Sequence, residues 1–195
     1  MTRAWHTKNW RLQRIIAVGH YTPFFPERHP MQFKPDTVRC TLMTPLGEVT
    51  LAASSHGLAG IWFNGQRHEP DVSAWPMHTK HPMLRQASSE LQDFFSGKRQ
   101  TFSLMLDASL GTTFQQGVWA QLRRIPAGRT VSYGDIAQGI GQPTAVRAVG
   151  AAVGRNPWSV VVPCHRVLGA NGALTGYAGG LDRKQALLQL EGVPV

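Results

Sequence analysis

The apolar periodicity of this 195-residue chain changes near Gly111, and that change constrains the fold more than any other feature. Before it, three runs rich in β-branched and apolar residues, at 38–43, 48–53 and 58–63, are separated by turn sequences that contain Pro or Gly. After it, apolar residues recur at helical spacing. The pattern predicts an α+β fold, in which a sheet-containing part precedes a mainly helical part.

The first part is predicted to be an N-terminal α/β domain over residues 36–108. A helix is expected at 82–95, where apolar side chains recur on one face, and a further strand at 100–106. Cys40 falls in a predicted strand and is expected to be a core residue. No constellation of residues in this domain points to catalysis.

Residues 1–35 differ in composition from the rest of the chain. They contain six Lys or Arg residues against one acidic residue, three histidines and no regular apolar period. We expect a basic, poorly ordered leader with no catalytic part, and a targeting segment is the alternative.

The formal net charge of +9 is unevenly distributed. Residues 111–195 carry eight Lys or Arg residues against three acidic ones, whereas residues 36–110 carry six against seven. The basic C-terminal half favours a polyanionic partner, with a solvated basic surface as the alternative. Because no apolar run could span a bilayer, no signal peptide is visible and the two cysteines suggest no disulfide, we expect a cytoplasmic protein without membrane contact.

The second part, residues 109–195, is predicted to contain a helix-turn-helix. A helix with one apolar stripe ends at Pro126, a short helix spans 134–139, and a further helix begins at Pro143 and runs to about Gly154. Two short helices joined by a tight turn are typical of this motif, although many helical cores share the pattern.

The second helix of this pair consists mostly of small residues, and Arg147 is its only charged residue. Small side chains let a helix approach another surface closely, so the helix could lie in a DNA groove with Arg147 probing the base stack. A core helix packed on a neighbour, with Arg147 solvated, is the alternative, and composition alone favours it.

A candidate nucleophile, Cys164, follows a buried-type strand predicted at 158–162. The adjacent His165 is suited to activating a thiol as a thiolate. Because successive side chains of an extended segment point to opposite faces, His165 is expected to act through a bridging water. A final helix at 181–190 ends next to Glu191, whose carboxylate could orient the imidazole.

The segment 176–180 is rich in glycine and contains one aromatic residue, Tyr177. Such a segment suits a pocket with a stacking ring and main-chain donors. A plain surface loop would have the same composition.

Six short segments of the second half form an ordered set of motifs. They are 131–134 (VSYG), 147–150 (RAVG), 155–157 (RNP), 163–167 (PCHRV), 176–180 (GYAGG) and 187–192 (LLQLEG). Together they closely resemble the O6-alkylguanine-DNA alkyltransferase (methylated-DNA–protein-cysteine methyltransferase) family. The resemblance is dense over 111–195, looser over 36–110 and does not cover 1–35. It implies a ribonuclease-H-like N-terminal domain and a C-terminal domain that holds the helix-turn-helix and the active site.

The resemblance implies a catalytic role for five residues. Cys164 would accept the alkyl group, and His165 would act as base through a water while Glu191 holds its ring. Asn156 would brace the turn between the DNA-reading helix and the active-site strand. Tyr133 would help turn out the damaged base and donate a hydrogen bond to the leaving guanine.

The resemblance also implies residues that bind DNA and the flipped base. Arg147 would fill the gap left in the base stack, and Tyr177 would pack against the flipped base. The other implied contacts are the backbone around Cys164, Val167, Ala178 and Gly179, which would read the base edges, and a supporting basic residue, Lys184.

The implied activity is single-turnover repair of double-stranded DNA bound through its minor groove. An alkyl group would pass from O6-alkylguanine, with O4-alkylthymine as a second candidate substrate, to Cys164, and the thioether has no evident route back. No cofactor is implied, and we expect a monomer. Some relatives bind a structural zinc through N-terminal Cys and His residues, but Cys40 is the only cysteine in that half, so no metal site is expected.

Three other functions compete with repair. Lesion-binding proteins of the same fold replace the acceptor cysteine, usually by Trp, whereas position 164 is Cys. A Cys-His-Glu thiol hydrolase is a second candidate, but the small-residue helix and the basic C-terminal half fit DNA better than a peptide. A helix-turn-helix regulator is the third, and this chain is short for an added regulatory domain.

Overall fold

The computed structural model describes residues 31–195, which form one compact unit. The leader predicted at 1–35 therefore lies outside the described residues except for its last five positions. Of these, Met31 and Phe33 pack against the hydrophobic core. The Phe33 ring meets the rings of Trp62 and Trp75 edge-on, with centroids 5.7 and 4.8 Å away. Packing thus begins several residues before the first strand.

An antiparallel three-stranded sheet organises the first part of the described chain. Its strands are β1 (Val38–Thr44), β2 (Gly47–Ser54) and β3 (Gly57–Phe63), in the order β1-β2-β3. The three strands and the two hairpin turns predicted from the sequence are confirmed. Every residue of β3 is buried, which explains why its sequence is almost wholly apolar.

Helix α1 (Pro82–Phe95) packs on all three strands and has the predicted bounds. Glu90 is buried on the same face as the apolar residues of the helix. Its carboxylate accepts the Ser103 backbone N–H at 2.8 Å and pairs with Arg99 at 3.1 Å. The apolar residues of the buried face are Leu84, Ala87, Leu91 and Phe94.

The strand predicted at 100–106 is wrong. Only Leu106 pairs with β3, through a single parallel bridge to Leu58. The N–H of Ser103 is already bonded to the Glu90 carboxylate, so it takes no part in a strand ladder. At Ser103, the segment 100–106, which its sequence predicts to be a strand, is therefore hydrogen-bonded to helix α1 and not to the sheet.

The strand predicted at 158–162 is also wrong, although its first residue does reach the sheet. Trp158 forms a parallel bridge with Ile61 of β3. The chain then turns, because the Val162 N–H donates to the Trp158 carbonyl at 2.9 Å and Val160 adopts a φ of +72°. A left-handed conformation at a β-branched residue is rare, so local sequence gave no sign of this turn.

The described residues of the second part form four α-helices and a two-residue parallel strand pair. The pair, β4 (Val131–Ser132) and β5 (Val167–Leu168), was not predicted, because two residues carry no detectable period. The final helix has the bounds predicted for it. The helices are α2 (Thr113–Leu122), α3 (Tyr133–Gly139), α4 (Val146–Gly154) and α5 (Leu181–Leu190).

Helices α3 and α4 form the predicted helix-turn-helix. The second helix begins three residues later than expected: Pro143 lies in a turn that the Ala145 N–H closes by donating to the Gln142 carbonyl at 2.9 Å. Helix α4 is fixed to α2 by the Trp119 indole, whose Nε1 donates to the Ala152 carbonyl at 2.9 Å. The pair is therefore held by a third helix behind it.

The first prediction concerns the junction between β3 and the 105–107 segment. Gly57 has a φ of +124°, and a Cβ there would lie 2.5 Å from the Met105 carbonyl oxygen, whereas Gly97 has a φ of +76° and open space around it. We expect Gly57→Ala to lower the free energy of unfolding by about 2–4 kcal/mol and Gly97→Ala by about 1 kcal/mol. Urea denaturation of both variants measures this, and equal losses would contradict the steric argument.

Candidate active site and nucleic-acid interface

The candidate nucleophile lies on a short helical turn and not on an extended strand. Residues Cys164–Arg166 form a single 3-10 turn that leads directly into β5, and the Cys164 side chain is buried. The expected extended geometry around Cys164 is therefore wrong. The turn follows from the fold just before it, since the Cys164 N–H donates to the Val162 carbonyl at 2.8 Å.

The Asn156 amide holds together the turn that precedes Cys164. Its Nδ2 donates to the Val162 carbonyl at 2.8 Å and lies 3.2 Å from Cys164 Sγ, and its Oδ1 accepts the Trp158 N–H at 3.1 Å. The same side chain thus fixes the left-handed turn and supplies a hydrogen bond to sulfur.

The Cys164 sulfur sits in an environment with opposing electrostatic effects. Burial raises the pKa of the thiol, while the Asn156 hydrogen bond and the Lys184 ammonium oppose that rise. The resting group is therefore a thiol that needs a base, and the thiolate, once formed, has a hydrogen-bond donor already in place.

His165 is fully buried and is held through one ring nitrogen. Nε2 lies 2.9 Å from Glu191 Oε1, whereas Nδ1 is buried and has no hydrogen-bond partner within residues 31–195. Burial lowers the pKa of His165, and the Glu191 carboxylate only partly counters this effect. A neutral ring that donates through Nε2 leaves Nδ1 as a free proton acceptor.

Arg166 is a functional residue that the sequence analysis missed. Its Nε and Nη2 donate to the two oxygens of Glu191, at 2.9 and 2.7 Å, and its Nη1 donates to the Ile125 carbonyl. This fork fixes the plane of the carboxylate that orients His165. The only feature of the sequence that indicated a role for Arg166 was its position directly after Cys164 and His165.

Lys184 and Tyr133 hold the same loop from two sides. Lys184 Nζ donates to the Val167 carbonyl at 2.5 Å and to the Thr175 carbonyl at 2.6 Å, and the Tyr133 hydroxyl donates weakly to the carbonyls of Thr175 and Gly176 at 3.3 and 3.4 Å. Burial lowers the pKa of Lys184 to about 8 and raises that of Tyr133. Lys184 is still charged at neutral pH and is fully buried, so it supports the loop from inside.

Tyr177, Ala178 and Gly179 lie next to this loop. The Tyr177 hydroxyl is buried and has no hydrogen-bond partner among the described residues, and burial raises its pKa well above 10. A Cβ on Gly179 would come within 2.8 Å of the Tyr177 ring, so the ring packs directly over this glycine. The Ala178 carbonyl accepts the Arg67 N–H at 3.0 Å.

Helix α4 has one buried and one exposed face, as the core-helix alternative predicts, and its contact with DNA stays a prediction. Val149, Ala152 and Val153 are buried, whereas Arg147 and its neighbour Ala148 are exposed. The exposed face, with its small residues and one arginine, belongs to the second helix of the helix-turn-helix. Asn156, two residues after the end of this helix, connects it to the site through the hydrogen bond to Cys164 Sγ.

Residues 31–195 contain neither a metal-binding cluster nor a membrane-spanning helix. Within this range, no group of three or more His, Cys, Asp or Glu side chains is arranged to bind a metal. None of the helices in the described part has both the length and the apolar character that a bilayer crossing requires. Cys40 is buried in β1, as predicted.

The second prediction follows from the ion pair at Glu191. Burial alone would raise its pKa, but the hydrogen bonds from His165 and Arg166 outweigh burial and hold the pKa at about 2, against an ordinary value of 4.5. This group therefore stabilises the fold above pH 4.5, and the contribution is lost as the pH falls towards 2. The stability difference between the parent and Glu191→Gln, from urea denaturation, is expected to shrink by up to about 1.4 kcal/mol per pH unit in that window. Parallel curves would contradict the assignment.

Known proteins resemble both halves of the chain. Residues 38–108 match the ribonuclease-like domain of 6-O-methylguanine DNA methyltransferase, and residues 113–193 match the DNA binding domain of the same family. The methylated-DNA–protein-cysteine methyltransferase of Methanosarcina acetivorans is 46% identical over 76% of this chain and 94% of that protein. The Mycobacterium tuberculosis protein of the same name is 47% identical over 77% of this chain and 90% of its own length.

A solved structure agrees with the sequence comparison. The crystal structure of Mycobacterium tuberculosis OGT in complex with DNA superposes with a TM-score of 0.73 at 44% identity, over 79% of this chain and 92% of that one. The α+β fold with a ribonuclease-like first half and a helical second half is therefore confirmed. The chain belongs to the 6-O-methylguanine DNA methyltransferase family.

Proposed function

We propose that the protein repairs alkylated DNA by transferring the alkyl group from O6-alkylguanine to Cys164. One observation carries the proposal: a buried thiol, hydrogen-bonded to Asn156, follows the DNA-binding motif and adjoins a neutral imidazole whose Nδ1 is free and whose Nε2 is held by Glu191. The relatives named methylated-DNA–protein-cysteine methyltransferase support the same reaction, and the related structure with DNA supports DNA as the partner.

The proposed reaction is a displacement at the alkyl carbon. His165 Nδ1 takes the thiol proton, through a water, and the Cys164 sulfur forms a bond to carbon as the bond from carbon to guanine O6 breaks. The electron pair of the broken bond stays on guanine, which recovers a proton at the end of the step. The product thioether has no leaving group that would restore the thiol, so each molecule acts once.

Base flipping is required because a base inside a duplex cannot present its O6 substituent to a buried sulfur, and extrusion costs a few kcal/mol. Exposed Arg147 on α4 would fill the gap in the stack, with the small residues around it allowing close approach in the minor groove. Tyr133 would donate to the leaving guanine, and Tyr177 would pack on the flipped ring. Backbone groups of Val167 and Ala178 would read its edges.

Further parts of the proposal concern setting and assembly. The protein acts as a monomer in the cytoplasm, with Lys184 supporting the loop beside the site and without a cofactor. The basic balance of residues 111–195, eight Lys or Arg against three acidic residues, supports a DNA partner. We assign a domain boundary near residue 108, with the DNA-binding and alkyl-transfer residues in the second domain.

The third prediction tests the nucleophile. We expect Cys164→Ala to abolish methyl transfer from a duplex that contains one O6-methylguanine while leaving duplex binding intact, because the sulfur is the acceptor and does not lie on the exposed face of α4. Intact-protein and peptide mass spectrometry is expected to find one methyl on Cys164 of the parent protein and none on the variant.

The matched control for that experiment is Cys40→Ala, which removes the other buried cysteine. It is expected to accept one methyl as the parent does. A methylated Cys164→Ala protein, or turnover beyond one methyl per molecule, would overturn the proposed reaction.

The fourth prediction separates base flipping from chemistry. Arg147→Ala is expected to slow repair in duplex DNA by at least about tenfold, since it removes part of what offsets the extrusion cost, and to leave the reaction with free O6-benzylguanine unchanged. Arg155→Ala, at the other end of α4, is the control for loss of one positive charge. Equal losses on both substrates would count against the stack-filling role.

A further inference from the structure

The base-recognition segment 176–179 has no regular secondary structure, so tertiary contacts must give it its shape. Besides Tyr133 and Lys184 of the second half, two residues of the first half contact this segment. The Arg67 N–H donates to the Ala178 carbonyl at 3.0 Å, directly after β3. The rings of Phe63 and Tyr177 both lie close to Gly179, at 3.3 and 2.8 Å from the position of an added Cβ.

Arg183 ties the same segment to the sheet a second time. Its Nη1 donates to the Gly179 carbonyl at 3.0 Å, and its Nε donates to the Leu46 carbonyl, in the β1–β2 turn, at 2.9 Å. Its guanidinium also stacks over the Phe63 ring, 4.8 Å from the centroid. The carbonyls of Ala178 and Gly179 are thus both occupied by groups anchored on the first half.

Gln66 occupies the centre of this junction. It is buried, and its Oε1 accepts two hydrogen bonds, from the Phe63 N–H at 3.0 Å and from the Ser159 hydroxyl at 3.1 Å. Gln66 therefore joins the end of β3 to the turn that carries the nucleophile. An apolar residue in its place would leave the Phe63 N–H and the Ser159 hydroxyl without this acceptor, which is costly for buried donors.

Gln66 also closes the turn that carries these contacts. Its N–H donates to the Phe63 carbonyl at 3.0 Å, so its backbone and its side chain both bind Phe63. The Phe63 ring lies close to Gly179, and the Arg67 N–H donates to the Ala178 carbonyl. Because the Tyr177 ring packs over Gly179, this turn sets the surface on which that ring lies.

We propose that Gln66 is a positioning residue for base recognition. By fixing the turn 63–67 it holds Ala178 and Gly179, and with them the Tyr177 ring, so that the first half of the chain sets the shape of the pocket for the alkylated base. This inference rests on the proposed function. It gives the first half, which contributes no reacting group, a defined effect on substrate affinity.

The test compares two reactions of the same thiol. Single-turnover alkylation by free O6-benzylguanine, measured against concentration, gives a half-saturation concentration and a limiting rate, and alkylation by iodoacetamide reports thiol reactivity without a base pocket. Gln66→Leu is expected to raise the half-saturation concentration by roughly threefold to tenfold, the effect of one net hydrogen bond. The limiting rate and the iodoacetamide rate are expected to stay unchanged.

Three further variants make the result decisive. Gln66→Glu keeps the acceptor oxygen and is expected to restore the parent half-saturation concentration, and Gln92→Leu, at an exposed site on α1, is expected to have no effect. Ser159→Ala is the smaller change to use if Gln66→Leu does not fold, and a smaller increase is expected, because it removes one of the two hydrogen bonds that hold the Gln66 side chain.

An unchanged half-saturation concentration, or an equal fall in the iodoacetamide rate, would overturn the positioning role and leave the proposed function standing. A parent protein that transfers no alkyl group would instead remove the proposed function and this inference with it.

Discussion

The free edge of β3 is the constraint on which the rest of the structure depends. A sheet edge presents unpaired N–H and C=O groups that must find partners when buried. Here the partners come from two distant segments: Met105 near one end of the strand, and Pro157 and Ser159 at Ile61, with N–O distances of 2.8 to 3.0 Å. The turn that carries the nucleophile is therefore hydrogen-bonded to the sheet, and the sheet edge becomes part of the scaffold of the site.

Buried charge gives the site its rigidity. Glu191 and Arg166 are an ion pair with side chains 2% and 7% exposed, and removing either partner would leave an uncompensated charge in the interior. His165 shares the same carboxylate and so has little freedom to rotate. The arrangement fixes which imidazole nitrogen is free, and this choice decides the direction from which a proton can be taken.

The sequence predicted well those parts of the fold that depend on local period. The strands at 38–63 were found because they are apolar, β-branched runs between turn sequences, and helix α1 because its apolar residues recur on one face. Residues 100–106 and 158–162 were wrongly predicted as strands. Each pairs with the free edge of β3 through a single bridge, and an apolar pattern does not show that two segments share one edge. The left-handed Val160 is likewise set by tertiary contacts, above all those of Asn156.

The candidate site was located through motifs more than through periodicity. The order of the motifs placed Cys164, His165 and Glu191 in one site, and the structure brings them together. Arg166 was missed because its partner Glu191 lies 25 residues away along the chain, and nothing in the local sequence indicates their contact. Gln66 was missed for a similar reason, since its partner Ser159 is 93 residues away.

The loop held by Tyr133 has a consequence for how a base can enter. A phenol has one hydrogen, and that of Tyr133 is directed at the carbonyls of Thr175 and Gly176. A base that accepts a hydrogen bond from the Tyr133 hydroxyl would have to replace these carbonyls as its acceptor. Lys184 donates to the same two carbonyls from the protein interior, so the loop stays in place when the Tyr133 hydrogen bond is lost. In the proposed reaction, arrival of the base would exchange one acceptor of the Tyr133 hydrogen for another, so the loop need not unfold before Cys164 reacts.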